Sequence, residues 1–116
     1  MEYAEYMPHI NVNDGKNRVM NNLKLYMTLL GKFKGRQMAD DLLGAIKDND
    51  SGKIVQYAHA LRGTAGNLGF PTLLGVTEEI ESLCKVNKDC AHLCDALNDA
   101  VVSLEENINK LISSTT

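Results

Sequence analysis

From Cys90 to Leu111 the chain sets an apolar residue at almost every third or fourth position: Cys90, Leu93, Cys94, Leu97, Val101, Leu104, Ile108 and Leu111. That period belongs to one face of a helix and not to the alternation of a strand. A helix of about six turns carrying one apolar stripe needs other stripes to bury it. The rest of the chain supplies them. Leu25, Tyr26, Leu29, Leu30 and Phe33 share a face; after a break at Gly35 the pattern continues through Met38, Leu42, Leu43 and Ile46. Ile54, Ala58, Leu61, Ala65 and Leu68 form a third stripe, and Leu73, Val76, Ile80 and Leu83 a fourth. No strand-like alternation is sustained. Such helices joined by short loops predict an all-α fold, an antiparallel up-and-down four-helix bundle with one or two short additional helices at the N-terminal end.

The punctuation agrees. Asn13 or Asp14 can cap a short helix through "GKNRVM", Asn22 the next, and Asp50 or Ser51 the one that follows the loop "KDNDSG". Gly69 closes that helix, Pro71 suits the first turn of its successor, and Asp89 in "VNKD" caps the last. Residues 1–12, "MEYAEYMPHINV", show no period and contain Pro8, so they read as an N-terminal tail or linker remnant ahead of a domain at 13–113.

A chain of 116 residues holds one domain, and 44% hydrophobic with 23% charged residues is a globular composition. A net charge of −3 offers no basic footprint for nucleic acid or an acidic membrane. No apolar run is long enough to cross a bilayer, and no secretory pattern opens the chain. Three cysteines without such a pattern suggest reduced thiols and a cytoplasmic setting.

The chemistry concentrates in "AHALRGTAGNLGF", residues 58–70. His59 follows the stripe residue Ala58, which turns it about 100° from the centre of the apolar face. Side chains on a helix lean toward its N-terminus, so a side chain at 63 would cover the turn holding His59. Gly63 removes that cover, and Gly66 lowers the same ridge one turn on. The two glycines together cost roughly 2 kcal/mol of helix stability. Arg62, three residues from His59, supplies a fixed cation. A neutral imidazole nitrogen is a nucleophile toward phosphorus, and the phosphoramidate it forms can pass its phosphoryl group on. That transfer needs in-line access and charge neutralisation. The chain has no phosphate-cradling glycine loop and no evident metal-holding acidic cluster, so the metal and the acyl phosphate must come from a partner.

"HALRGTAGNLG" resembles the signature of the histidine-containing phosphotransfer (HPt) domains of two-component phosphorelays. In that signature a histidine is followed by Leu or Ile two positions on, then Lys or Arg, then Gly, and a second Gly six further on. The matching residues are His59, Leu61, Arg62, Gly63 and Gly69, and "GKNRVMNNLKLYMTLLGKF" is similar to the family's upstream run. The likeness covers residues 10 to 112 and implies a four-helix bundle. It implies that His59 is the phosphorylated residue, that Arg62 stabilises the phosphoryl group, and that Gly63 clears its approach. Arg62 stands where lysine is commoner. Glu78 and Glu81 fall where some relatives, notably chemotaxis kinases, place polar partners for the histidine. The implied function is a phosphorelay intermediate, not an enzyme, which accepts a phosphoryl group from a receiver-domain aspartate and passes it to another receiver. The implied partners are response-regulator receiver domains, which bring their own Mg²⁺, and a hybrid sensor histidine kinase; the protein itself is expected to be a monomer with no cofactor. Further candidates for the site are Gly66, Gly69, Val55 and Gln56, with Val55 and Val19 or Met20 as docking residues.

Other clusters invite other readings. Cys84, Cys90, His92 and Cys94 are zinc-type ligands, but Cys90 and Cys94 lie on an apolar stripe from which His92 points away, so they read as core. "EEIE" at 78–81 reads as a solvated face, Met20, Met27 and Met38 as filler, and His9 as part of the tail. The alternatives are a phosphoacceptor domain of a chemotaxis-type kinase, a non-catalytic helical interaction bundle with His59 inert, and a metal-binding bundle built on the cysteines.

Overall fold

The computed structural model describes residues 3–115. Six helices follow in order: α1 (Val12–Asn17), α2 (Leu23–Lys32), α3 (Gly35–Lys47), α4 (Ser51–Leu68), α5 (Pro71–Lys85) and α6 (Cys94–Thr115), with 3₁₀ turns at Ala4–Tyr6 and Ala91–Leu93. Helix α4 packs on α3 and α5, and α6 packs on the same two, which closes a ring of four. Helix α2 lies against α6 and α4, and α1 against α4 and α2. The expected bundle with two extra N-terminal helices is therefore the observed one, drawn out to 43 × 23 × 23 Å.

The stripes account for the packing. Leu97, Val101, Leu104 and Leu111 of α6 meet Ala39 and Leu42 of α3, Ala58, Leu61 and Ala65 of α4, and Leu73 and Ile80 of α5 in one core, all 0–1% exposed. Side-chain oxygens cap α1, α2 and α4: those of Asn11, Asn22 and Asp50 accept from the amides of Asp14, Leu25 and Lys53.

Four local expectations are corrected. Helix α1 is capped by Asn11 rather than Asn13 or Asp14, and it stops at Asn17 because Met20 and Asn21 take left-handed backbone at φ 58 and 62. Residues 3–12, read as a tail, are packed: Tyr6, Ile10 and Val12 are buried, and the Asn11 amide donates to Gly69 O at 2.7 Å. Met1 and Glu2 of that segment lie outside the described residues. Leu25 is 44% exposed, and Tyr26 and Leu30 carry the buried face of α2. In α5 the buried face runs through Leu73, Thr77, Ile80, Glu81 and Cys84, while Val76 and Leu83 stand only at its edge. That rotation has a functional consequence, because it brings Glu81 inward against α4.

Candidate phosphoacceptor site

Helix α4 presents the site. Asp50 fixes its start, and its end is set by Gly69, whose amide donates to Ala65 O at 3.0 Å from a left-handed conformation at φ 79. Between these anchors Ile54, Ala58, Leu61 and Ala65 turn into the core. His59, one step round, stands out of the surface with 65% of its side chain exposed.

Helix α5 runs antiparallel beside it, with Leu74 opposite Gly66 and Glu81 opposite His59. Glu81 is 4% exposed, which a carboxylate tolerates only when it is paired. Its Oε2 lies 3.1 Å from His59 Nδ1 and 3.4 Å from Lys85 Nζ, and its Oε1 lies 3.0 Å from Arg62 Nε. Burial opposes ionisation, but hydrogen bonds from Lys85 and His59, then the charges of Arg62 and Lys85, outweigh it and hold the carboxyl below the usual glutamate range. The expectation of a solvated face at 78–81 fails at Glu81 for this reason: three cationic or donor groups replace its water. Arg62 also reaches His59, with Nη2 3.0 Å from Nδ1. Both contacts to the ring are at Nδ1, so Nε2 has no partner among the described residues.

The three motif glycines do different work. A Cβ built on Gly63 meets nothing within 4 Å, and one on Gly66 meets only Leu74 Cδ1 at 4.0 Å. Nothing in the domain's own packing requires glycine at 63, and the space it leaves open lies on the side of His59. Gly69 is structural: besides its positive φ, a Cβ there would lie 2.6 Å from Asn11 O.

Of the remaining candidates, Val55 is half-buried on the His59 side of α4 and Gln56 is exposed. Glu78 is exposed and makes no ion pair or hydrogen bond among the described residues. Val19 is half-buried, and Met20 is 94% exposed on the turn between α1 and α2. Sequence reasoning missed Lys85, whose only signal is its i+4 spacing from Glu81. The thiols of Cys84, Cys90 and Cys94 are free, and among the described residues no group of three or more His, Cys, Asp or Glu is placed to hold a metal ion. Burial, and next the nearby Cys84, push the Cys90 thiol up, as befits a residue in the core. No helix among the described residues is long and apolar enough to cross a membrane.

The site is thus an accessible imidazole on a helix face, anchored through one nitrogen and flanked by cations on a cleared strip. No curated protein and no solved structure gives a significant match to the chain. A family model, the Hpt domain, matches residues 34–110, which takes in α3, α4, α5 and most of α6. The chain therefore belongs to the Hpt domain family, the histidine phosphotransfer modules that work with receiver domains and kinases in two-component signalling.

Proposed function

We propose that this domain is a cytoplasmic, monomeric phosphorelay intermediate with His59 as its phosphoacceptor. The observation that carries the reading is the pairing of an exposed His59 with a buried carboxylate at Nδ1. A carboxylate can only accept, so it favours the proton on Nδ1 and the lone pair on the outward Nε2. Nε2 is the atom a partner meets first, and Gly63 leaves its approach open.

In the proposed step a receiver domain docks over the strip and presents its aspartyl phosphate, with Mg²⁺ held by the receiver. Nε2 attacks phosphorus in line, the aspartate carboxylate leaves, and Arg62 offsets charge on the moving phosphoryl oxygens. The reverse step delivers the group to a second receiver. The domain contributes a nucleophile, its orienting carboxylate and a docking face, and the receiver contributes the rest. The Glu81 contact favours a second reading, a phosphoacceptor domain served by a chemotaxis-type kinase, because Glu81 falls where some relatives, notably those kinases, place a polar partner for the histidine.

The test is transfer of labelled phosphoryl from a phosphorylated receiver to the wild type and to His59→Gln, followed by chase onto unlabelled receiver. The relay reading expects label on the wild type only, acid-labile and alkali-stable, that moves on in the chase. Label that appears only with a chemotaxis-type kinase and ATP favours the second reading. Label from neither source makes this an interaction bundle.

A further inference from the structure

Two groups contest one nitrogen. Arg62 Nη2 lies 3.0 Å and Glu81 Oε2 3.1 Å from His59 Nδ1. A guanidinium only donates and an ionised carboxylate only accepts. In the neutral ring Nδ1 holds either a proton or a lone pair, so it satisfies one neighbour and opposes the other. With the proton on Nδ1, Glu81 accepts it and the lone pair sits on the exposed Nε2. With the proton on Nε2, Arg62 donates to Nδ1 and the outward nitrogen has no lone pair with which to attack.

Arg62 is also incompletely satisfied where it stands. Its Nε is within 3.0 Å of Glu81 Oε1, yet this buried N–H makes no hydrogen bond. The guanidinium is held by charge and not by an aligned fork, and 36% of the side chain is exposed. Lys85, at 3.4 Å from Oε2, stays with Glu81 when Arg62 leaves, so the carboxylate keeps a counter-charge.

We infer that Arg62 is a positioning residue that holds part of the resting population of His59 in the closed tautomer, and that an arriving phosphoryl group opens the site by drawing the guanidinium off Nδ1 onto its own oxygens. This inference rests on the phosphotransfer reading and deepens it. The whole population of the nucleophile is armed only when the charge it will receive is present. The step balances: the Nε2 lone pair forms the N–P bond, and the P–O bond to the receiver's aspartate breaks with its electron pair to release carboxylate. The proton stays on Nδ1, where Glu81 faces the now cationic ring.

Nitrogen NMR of the ¹⁵N-histidine-labelled full chain, at a pH where His59 is neutral, reads the two ring nitrogens separately. The wild type is expected to show averaged shifts from both tautomers. Arg62→Met, which keeps the unbranched apolar stem and has no donor, is expected to move the ratio about tenfold toward the proton on Nδ1, the factor set by losing one charge-assisted hydrogen bond. Arg62→Lys is expected to fall between them. A side chain that merely braced α4 against α5 would leave these shifts in place while changing the circular dichroism melt. Identical tautomer ratios in the wild type and Arg62→Met overturn the inference whether or not the protein carries phosphate. For the second half, the ³¹P resonance of phosphorylated His59 is expected to differ between the wild type and Arg62→Met, and coincident resonances overturn the exchange of partners. A tautomer ratio that moves between the wild type and Arg62→Met, in a protein whose wild type takes no phosphoryl group from receiver or kinase, refutes the functional reading instead.

Discussion

Replacing Gly63 separates what this helix needs from what its partner needs. The position is exposed, in mid-helix, and a Cβ built there meets nothing within 4 Å. Gly63→Ala therefore adds no clash and recovers the helix propensity that glycine forfeits, about 1 kcal/mol. Unfolding entropy of about 2.1 cal/mol/K per residue, over 116 residues, converts that gain into a rise of about 4 °C in Tm. Function should move the other way. A side chain at 63 leans back over the turn of His59, and a displacement of about 1 Å in a transfer geometry costs about 100-fold in rate. Gly63→Gln, large enough to cover the imidazole and polar enough to stay in solvent, should show that loss, and Gly63→Ala a smaller one. Thermal denaturation followed by circular dichroism gives the first quantity, and the initial rate of phosphoryl transfer from a phosphorylated receiver gives the second. A Gly63→Ala domain no more stable than the wild type refutes the steric reasoning. A Gly63→Gln domain that transfers at the wild-type rate refutes the assignment of the open strip to access.

Other substitutions probe the scaffold and the charge cluster. Gly69→Ala forces a Cβ to within 2.6 Å of Asn11 O at φ 79, and should cost about 3 kcal/mol, read as a lower urea midpoint at unchanged slope. Tyr26 donates to Leu68 O at 2.6 Å, so Tyr26→Phe strands a part-buried carbonyl and should cost about 1–2 kcal/mol in the same assay. Glu81 has a folded pKa below its unfolded one, so the stability it lends is complete above the unfolded value and is lost as pH falls through the folded value. Urea unfolding between neutral pH and pH 3 should show that acid loss in the wild type, and less of it in Glu81→Gln; equal losses would show that Glu81 is not held in its charged form by the fold.

What the sequence discloses about this molecule is what local spacing can carry. The α6 stripe from Leu97 to Leu111 and the α4 face from Ile54 to Ala65 are periodic and apolar, and both are buried as read, whereas Leu68 and Cys94 are only half-buried and the 3₁₀ turn at Ala91–Leu93 leaves Cys90 ahead of α6. His59 beside Ala58, with Gly63 one turn on, is likewise a local relation, and it suffices to expect an exposed ring on an open strip. Helix α5 is harder because its buried face includes Thr77 and Glu81, and no hydropathy pattern marks a carboxylate as internal. Glu81 is buried only because His59 and Arg62 come to it from another helix and Lys85 from one turn away, and the pairing across 22 residues is a product of the fold. Tyr6, Ile10 and Val12 go unread for a related reason. Their irregular spacing has no period, and their burial comes from docking against other helices, with hydrogen bonds of the segment to Gly69 at the end of α4, Thr72 of α5 and Ser114 of α6, rather than from a stripe of their own. Of the left-handed pair after α1, Asn21 is a residue type that favours this conformation, whereas Met20 is one that sequence gives no reason to expect there.

The central claim is that His59 receives the phosphoryl group, and the chain carries its own controls in His9 and His92. Peptide mapping by mass spectrometry at neutral to alkaline pH, after brief incubation with a phosphorylated receiver, locates the modification directly. The account predicts one phosphoryl group on the peptide containing His59 and none on those containing His9 or His92. A phosphoryl group on either of those peptides in place of His59, or one that persists on His59→Gln, would contradict it.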